Sequence, residues 1–385
     1  MIKLSPDAIR DVLATVLTGP VGLHEPQFFG KEWEYVKDCL DSGWVSSVGN
    51  YVEKFEGMLT DFTGAKFAIA TVNGTAALHS CLILAGVEAG DEVVMPSLTF
   101  VGTVNAAAGM YAIPHFADVE ERTLGLDPLK LDAYLSAITE ISGDKCLNKS
   151  TGRKISACIP VHTFGHPVDL DPLNEVCKNY HITMIEDAAE SLGSYYNNTH
   201  TGNYGLVSAL SFNGNKTITT GGGGAILTND PDLAVQAKHL TTTSKLAHKW
   251  EYRHDQIGFN YRLPNINAAL GCAQMEVLPK FLKQKRKLAK TYAKAFSQID
   301  ELYFFSEPDF AVSNYWLNSL LLDPRQAGLK DEILRVINES GYMSRPAWTP
   351  MHQLPMYKNC PRMNVSVSDD IYRRLINIPS SPGLV

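Results

Sequence analysis

The sequence predicts an α/β fold with a mainly parallel sheet in a large domain, followed by a smaller C-terminal domain. Three observations carry this. Apolar, β-branched runs alternate with helical patterns; no short-period repeat or low-complexity tract interrupts them; and 385 residues exceed what one ordinary domain needs. The predicted strands are KFAIATV (66–72), DEVVMP (91–96), IPHFADV (113–119), ISACIPV (155–161), ITMIED (182–187) and VSALSF (207–212). Between them, helices are predicted at 74–86, about 99–110 and 169–180. The stretch KFLKQKRKLAKTYAKAF (280–296) keeps Phe281, Leu282, Leu288, Tyr292 and Phe296 at helical spacing and reads as a long solvated helix linking the two domains.

Composition narrows the class. With 45% hydrophobic and 19% charged residues this is an ordinary globular chain. Lys and Arg number 34 against 41 Asp and Glu, a net charge of −7, which offers nothing to a nucleic acid or an anionic membrane. The seven cysteines are scattered and lack any CxxC spacing, so neither a metal site nor a redox pair is expected. The N-terminus is not patterned as a secretory signal and no run of about 18 apolar residues occurs, so a cytoplasmic protein is expected.

In an open α/β sheet, ligands sit beyond the carboxyl ends of the strands, so the residues that follow each strand carry the chemistry. After KFAIATV come Asn73, Gly74 and Thr75, a small turn entering a helix. Its free N–H groups and positive dipole end suit a phosphate, although an ordinary helix cap reads the same way. At the end of ITMIED stands Asp187, followed by Ala188-Ala189-Glu190-Ser191. A carboxylate there can keep a pyridine nitrogen protonated, or can cap the next helix. After VSALSF comes Asn213-Gly214-Asn215-Lys216, then Thr217-Ile218-Thr219-Thr220 and four glycines, Gly221 to Gly224, before AILT. A lysine in a tight loop, 29 residues after the carboxylate, is where a Schiff-base amine would stand. A Walker loop requires Gly directly before the Lys, and Asn215 stands there. Neither Gly221 nor Gly222 starts a complete dinucleotide fingerprint.

Taken in order, Asn73-Gly74-Thr75, Asp187, Ser211-Phe212, Lys216 and the TTGGGG run resemble the DegT/DnrJ type of nucleotide-sugar aminotransferases, of the aspartate aminotransferase fold (fold type I). The likeness runs from LHEPQFFGKEWEYVKDCLDSGWVSSVGNYVEKFE (23–56) to the closing INIPSSPGLV. It implies a large PLP-binding domain over 23–275, a small α+β domain over 276–385, and an N-terminal extension over 1–22, expected on the large domain. It also implies pyridoxal 5'-phosphate (PLP) as cofactor, held covalently by Lys216. Asp187 would pair with the pyridine nitrogen, and Phe100 in PSLTFVGTVNA would stack on the ring. Gly74, Thr75 and the Ser211 hydroxyl would hold the phosphate, with Asn73 beside them. Asn260, in GFNYRLPNINAALG (258–271), would reach the phosphate in a neighbouring subunit, which implies a homodimer with shared sites.

Two positions depart from the commonest pattern of the family. Glu190 stands where many relatives have Gln or His near the cofactor's 3'-oxygen, and Gly222 where many have Glu. A carboxylate could donate there only if protonated. His162, in VHTFGHPVDLD, and His352, in TPMHQLPMY, match positions on the substrate side, though a core or surface histidine reads equally well. The covalent lysine separates this chain from related sugar dehydratases that carry His in its place. The flanking motifs look most like the subgroup that aminates UDP-linked 4-keto-6-deoxy-N-acetylhexosamines, with L-glutamate as donor, giving 4-amino sugars for bacillosamine, legionaminic acid and lipopolysaccharide-type surface glycans. The alternatives from other classes are a PLP lyase or aldolase of the same fold, a nicotinamide oxidoreductase, and a non-catalytic PLP-binding regulatory protein.

Overall fold

In the computed structural model, which describes residues 2–385, seven strands form one sheet. They are β1 (Phe67–Thr71), β2 (Glu92–Pro96), β3 (Ile113–Ala117), β4 (Ile155–Cys158), β5 (Thr183–Asp187), β6 (Val207–Ser211) and β7 (Gly224–Thr228). Their order across the sheet is β1-β7-β6-β5-β4-β2-β3. The pairs β6–β5, β5–β4, β4–β2 and β2–β3 are parallel, whereas β7 runs antiparallel to both neighbours. All six predicted strands are present, each trimmed at its ends. The seventh, GAILT, was not predicted as a strand, because only three apolar letters, Ala225 to Leu227, follow the glycine run. All five of its residues are buried, as a strand inserted between β1 and β6 must be.

The expected helices form at Gly74–Leu84, Val101–Ala108 and Leu170–Asn179. Gly74–Leu84 begins where the Asn73 side chain accepts the Ala76 N–H at 2.8 Å. The basic stretch belongs to a longer helix, Asn265–Phe296. This helix is less solvated than its lysines suggest: Ala268, Cys272, Leu278 and Phe281 join a core under the large sheet, while Leu288, Tyr292 and Phe296 join a second core. One helix therefore serves both halves of the chain.

That second core belongs to an antiparallel sheet of Leu302–Phe304, Asn318–Leu322, Leu375–Ile378 and Arg345–Pro346, with helices Lys330–Glu339 and Ser366–Arg374. The N-terminal segment, expected on the large domain, packs here instead. Its helix Pro6–Val16 starts at Ser5, whose hydroxyl caps the Ala8 N–H at 3.1 Å, and Pro6 occupies the first turn. Ile9, Val12 and Leu13, one helical stripe, share the core of Leu320, Ile333 and Ile337. Leu13 is fully buried, so Leu13→Ala should destabilise the protein by about 2–5 kcal/mol, seen as a lower urea midpoint.

Candidate active site

The parallel strands end together, and their carboxyl ends bring distant residues to one cavity of about 320 Å³. Asp187 closes β5 and Ser211 closes β6. Asn73, Gly74 and Thr75 follow β1, Phe100 follows β2, and Lys216 stands in the turn after β6, its N–H donating to Asn213 O at 3.0 Å. All eight of these, Glu190 included, line the same cavity.

One end of the cavity is suited to a phosphate. The helix Gly74–Leu84 points its N-terminus there, presenting backbone N–H groups and the positive end of its dipole. The Ser211 hydroxyl lies alongside. A side chain at Gly74 would bring a Cβ within 2.8 Å of Ser211 Cβ and 3.1 Å of its Oγ, so only glycine lets the turn lie this close to the end of β6.

The middle of the cavity is suited to an aromatic ring bearing a basic nitrogen. Asp187 is buried, and its two oxygens accept from the Thr103 hydroxyl at 2.7 Å and the Ala189 N–H at 3.1 Å. These bonds fix the carboxylate yet leave it lone pairs to accept a further N–H. Phe100 is half exposed to the cavity, its ring 6.2 Å from that of Trp348.

At the far side, Lys216 Nζ lies 3.1 Å from Glu190 Oε1 and 3.9 Å from the centre of the Trp316 ring. Glu190 Oε2 accepts the Phe164 N–H at 2.8 Å, from a residue held at φ 56°, a conformation that costs a non-glycine residue and that here aims an amide at the carboxylate. Burial pushes the Glu190 carboxyl up from its usual range and Asp187 pushes it the same way, against the opposing pull of Lys216 and the Phe164 amide. Glu190 thus faces the lysine amine. A Schiff-base lysine, a ring-nitrogen carboxylate, an aromatic stacking face and a phosphate cradle are the parts that hold PLP, and the residues present fit that group.

Three predicted site residues are not brought to the cavity. His162 is fully buried: its Nε2 meets Glu186 Oε2 at 3.0 Å and its Nδ1 accepts the Val168 N–H at 3.2 Å, so both ring nitrogens are used inside the core. His352 bonds Ser97 Oγ at 2.7 Å through Nδ1 and faces Asp369 at 3.4 Å, beside the cavity but outside its lining. Asn260 is exposed, pairing by an isolated bridge with Thr242. Conversely, Thr103, Phe164, Trp316 and Trp348 complete the site without having been singled out. Thr103 lay one helical turn from Phe100, which could have signalled it. The two tryptophans come from the C-terminal half, where no local motif marks them.

The sequence pattern of the DegT/DnrJ/EryC1/StrS aminotransferase family matches residues 28–385. The chain belongs to that family. It is 36% identical to GDP-perosamine synthase of Escherichia coli O157:H7, over 94% of each chain, and 34% identical to GDP-perosamine synthase of Vibrio cholerae, over 94% of this chain and 95% of the other. EpsN of Bacillus subtilis, 35% identical over 94% of this chain and 91% of its own, carries pyridoxal phosphate-dependent aminotransferase in its name. Among solved structures, Helicobacter pylori PseC, an aminotransferase involved in the biosynthesis of pseudoaminic acid, superposes with a TM-score of 0.84 at 25% identity, covering 94% of this chain and 93% of that one. This family member is a PLP-dependent aminotransferase of fold type I. Gly74→Ala should therefore weaken PLP binding about tenfold or more while leaving the fold intact, as read by absorbance titration of the apo protein with PLP.

Proposed function

We propose that the enzyme moves the amino group of L-glutamate to a nucleotide-linked keto sugar, releasing 2-oxoglutarate and an amino sugar. The observation that carries this is the position of Lys216, in the cavity with Asp187 and the Gly74–Ser211 cradle, in a chain whose relatives include GDP-perosamine synthases.

Bound PLP supplies an electron sink that stabilises negative charge at the substrate carbon when a proton leaves it. The chain does the rest. Gly74, Thr75 and Ser211 would anchor the cofactor's phosphate at the helix N-terminus. Asp187, braced by Thr103 and Ala189, would hold the ring nitrogen protonated. Phe100 would lie against the ring. Nζ of Lys216 takes the proton from the donor's α-carbon and returns one to the sugar carbon that gains nitrogen. Glu190, 3.1 Å from Nζ, accepts the proton that the lysine must lose before its amine can attack.

The sugar follows from the flanking motifs, which favour a UDP-linked 4-keto-6-deoxy-N-acetylglucosamine and a product destined for a surface glycan. The GDP-perosamine synthase relatives favour a GDP-linked counterpart, and assaying both nucleotides side by side decides between them. No helix among the described residues is long and apolar enough to cross a membrane.

The active unit is proposed to be a homodimer. Asn260 does not line its own chain's cavity, and the loop before it exposes Trp250, Tyr252 and Ile257 at 74%, 81% and 85%, apolar surface that a second copy would cover.

Two variants test this reading. Lys216→Ala should lose the visible absorbance of covalently held PLP and lower amino transfer by several orders of magnitude, with the far-UV circular dichroism unchanged; retained turnover would discard the mechanism. Asn260→Ala should release PLP more readily on dialysis, and unchanged occupancy would count against a shared site.

A further inference from the structure

Lys216 follows β6 and Glu190 follows β5, so the 3.1 Å between Nζ and Oε1 depends on how two separate loops are held. One side chain reaches both. Asn314, just before the strand Asn318–Leu322, is fully buried, and its amide nitrogen lies 2.8 Å from Glu190 O, 2.9 Å from Leu192 O and 3.2 Å from Thr217 Oγ1. Two amide protons are shared among three oxygens, two in the loop of Glu190 and one on the residue that follows Lys216. Oδ1 of the same amide accepts the Trp316 N–H at 2.7 Å. Turning the amide over would set oxygen against oxygen at both carbonyls, so the bonding fixes its orientation.

Asn314 is itself locked against the sheet domain. Its N–H donates to Ser194 Oγ at 2.9 Å, and the Ser194 and Ser313 hydroxyls both donate to Gly165 O, at 2.7 and 2.9 Å. Gly165 stands at φ 93°, and a Cβ there would collide with Asn314 Oδ1, so glycine makes the room that the amide needs. Phe164, the residue before it, gives its N–H to Glu190 Oε2 at 2.8 Å. The carboxylate is thus held at its side chain by Phe164 and at its main chain by Asn314. On the other side, Asn213 and Asn215 in the lysine turn are exposed, and Thr217 is the first buried residue after it. A hold on Thr217 is therefore a hold on the backbone that carries Lys216.

We propose that Asn314 is a positioning residue for amino transfer: by tying the Glu190 loop and the neighbour of Lys216 to one amide, it sets how closely carboxylate and amine meet. The proposal rests on the role given to Lys216 above. Asn314 does not line the cavity, so its influence belongs in the steps that Nζ performs and not in the affinity for substrates. Small displacements of a reacting group cost large factors in rate, which makes such a tie measurable.

The test uses Thr217→Val, which removes the hydroxyl that Asn314 reaches but keeps the branched shape, Thr217→Ser, which restores the hydroxyl, and Asn314→Ala. Two rates are followed: the gain of visible absorbance as apo protein captures PLP covalently, and the spectral change when saturating L-glutamate is added to the loaded protein. The glutamate concentration at half-saturation and the thermal unfolding midpoint are recorded beside them. For Thr217→Val both rates should fall about tenfold with half-saturation unchanged, and Thr217→Ser should recover most of each. Asn314→Ala should be slower still, and adding Thr217→Val to it should cost little more, because the two act through one bond. A Thr217→Val protein with wild-type rates, or with a loss confined to glutamate half-saturation or to the unfolding midpoint, overturns the positioning role even where Asn314→Ala fails to fold. If the wild-type protein captures no PLP covalently, it is the reading of Lys216 that fails, and the tie with it.

Discussion

Gly224 pairs with Thr71 of β1 on one side and with Ser211 of β6 on the other, and the site depends on that single antiparallel register. By running against its neighbours, β7 brings the carboxyl ends of β1 and β6 level with each other across one residue. The turn leaving β1 then lies over Gly224 so closely that a Cβ there would sit 2.5 Å from Asn73 C and O and 2.7 Å from Gly74 N. No other residue could occupy the position without displacing the helix whose N-terminus forms the anion cradle. The glycine run that resembles neither a Walker loop nor a dinucleotide fingerprint thus has a structural reason of its own. It lets two strand ends from opposite sides of β7 converge on one cavity.

Much of this was legible in the sequence because the chemistry lies at strand ends. Asn73, Gly74, Thr75, Phe100, Asp187, Ser211 and Lys216 each follow or close a run whose apolar character announces a strand, and all reach the cavity. What was not legible depended on direction or on distance. His162 belongs to the layer of Glu186, the neighbour of Asp187 whose side chain points to the opposite face of the sheet, so a one-residue alternation separates the buried pair from the site. The seventh strand was hidden because a glycine run precedes it and only Ala225, Ile226 and Leu227 are apolar. Trp316 and Trp348 could not be placed at all, because they come from the second domain and only tertiary packing sets them against Lys216 and Phe100.

The C-terminal domain therefore does more than close the fold. Trp316 Nε1 donates to Asn215 O at 2.6 Å, tying the turn that carries Lys216 to the domain opposite. The Trp316 carbonyl accepts from Lys285 of the long helix, which both domains share. A displacement of the second domain would be felt first at the lysine turn, so the site is assembled by domain packing as much as by the sheet.

Lys285, buried, and Lys216, partly open to the cavity, differ in what surrounds them. Lys285 is fully enclosed and meets only the carbonyls of Trp316 and Ser380, so burial drives its amine well below the usual range and no carboxylate compensates. A neutral amine still donates to both carbonyls, which is all that a structural tie requires. Lys216 instead faces the Glu190 carboxylate, the Trp316 ring and an open cavity. The Phe164 amide, held in its strained conformation, keeps that carboxylate in place beside the amine.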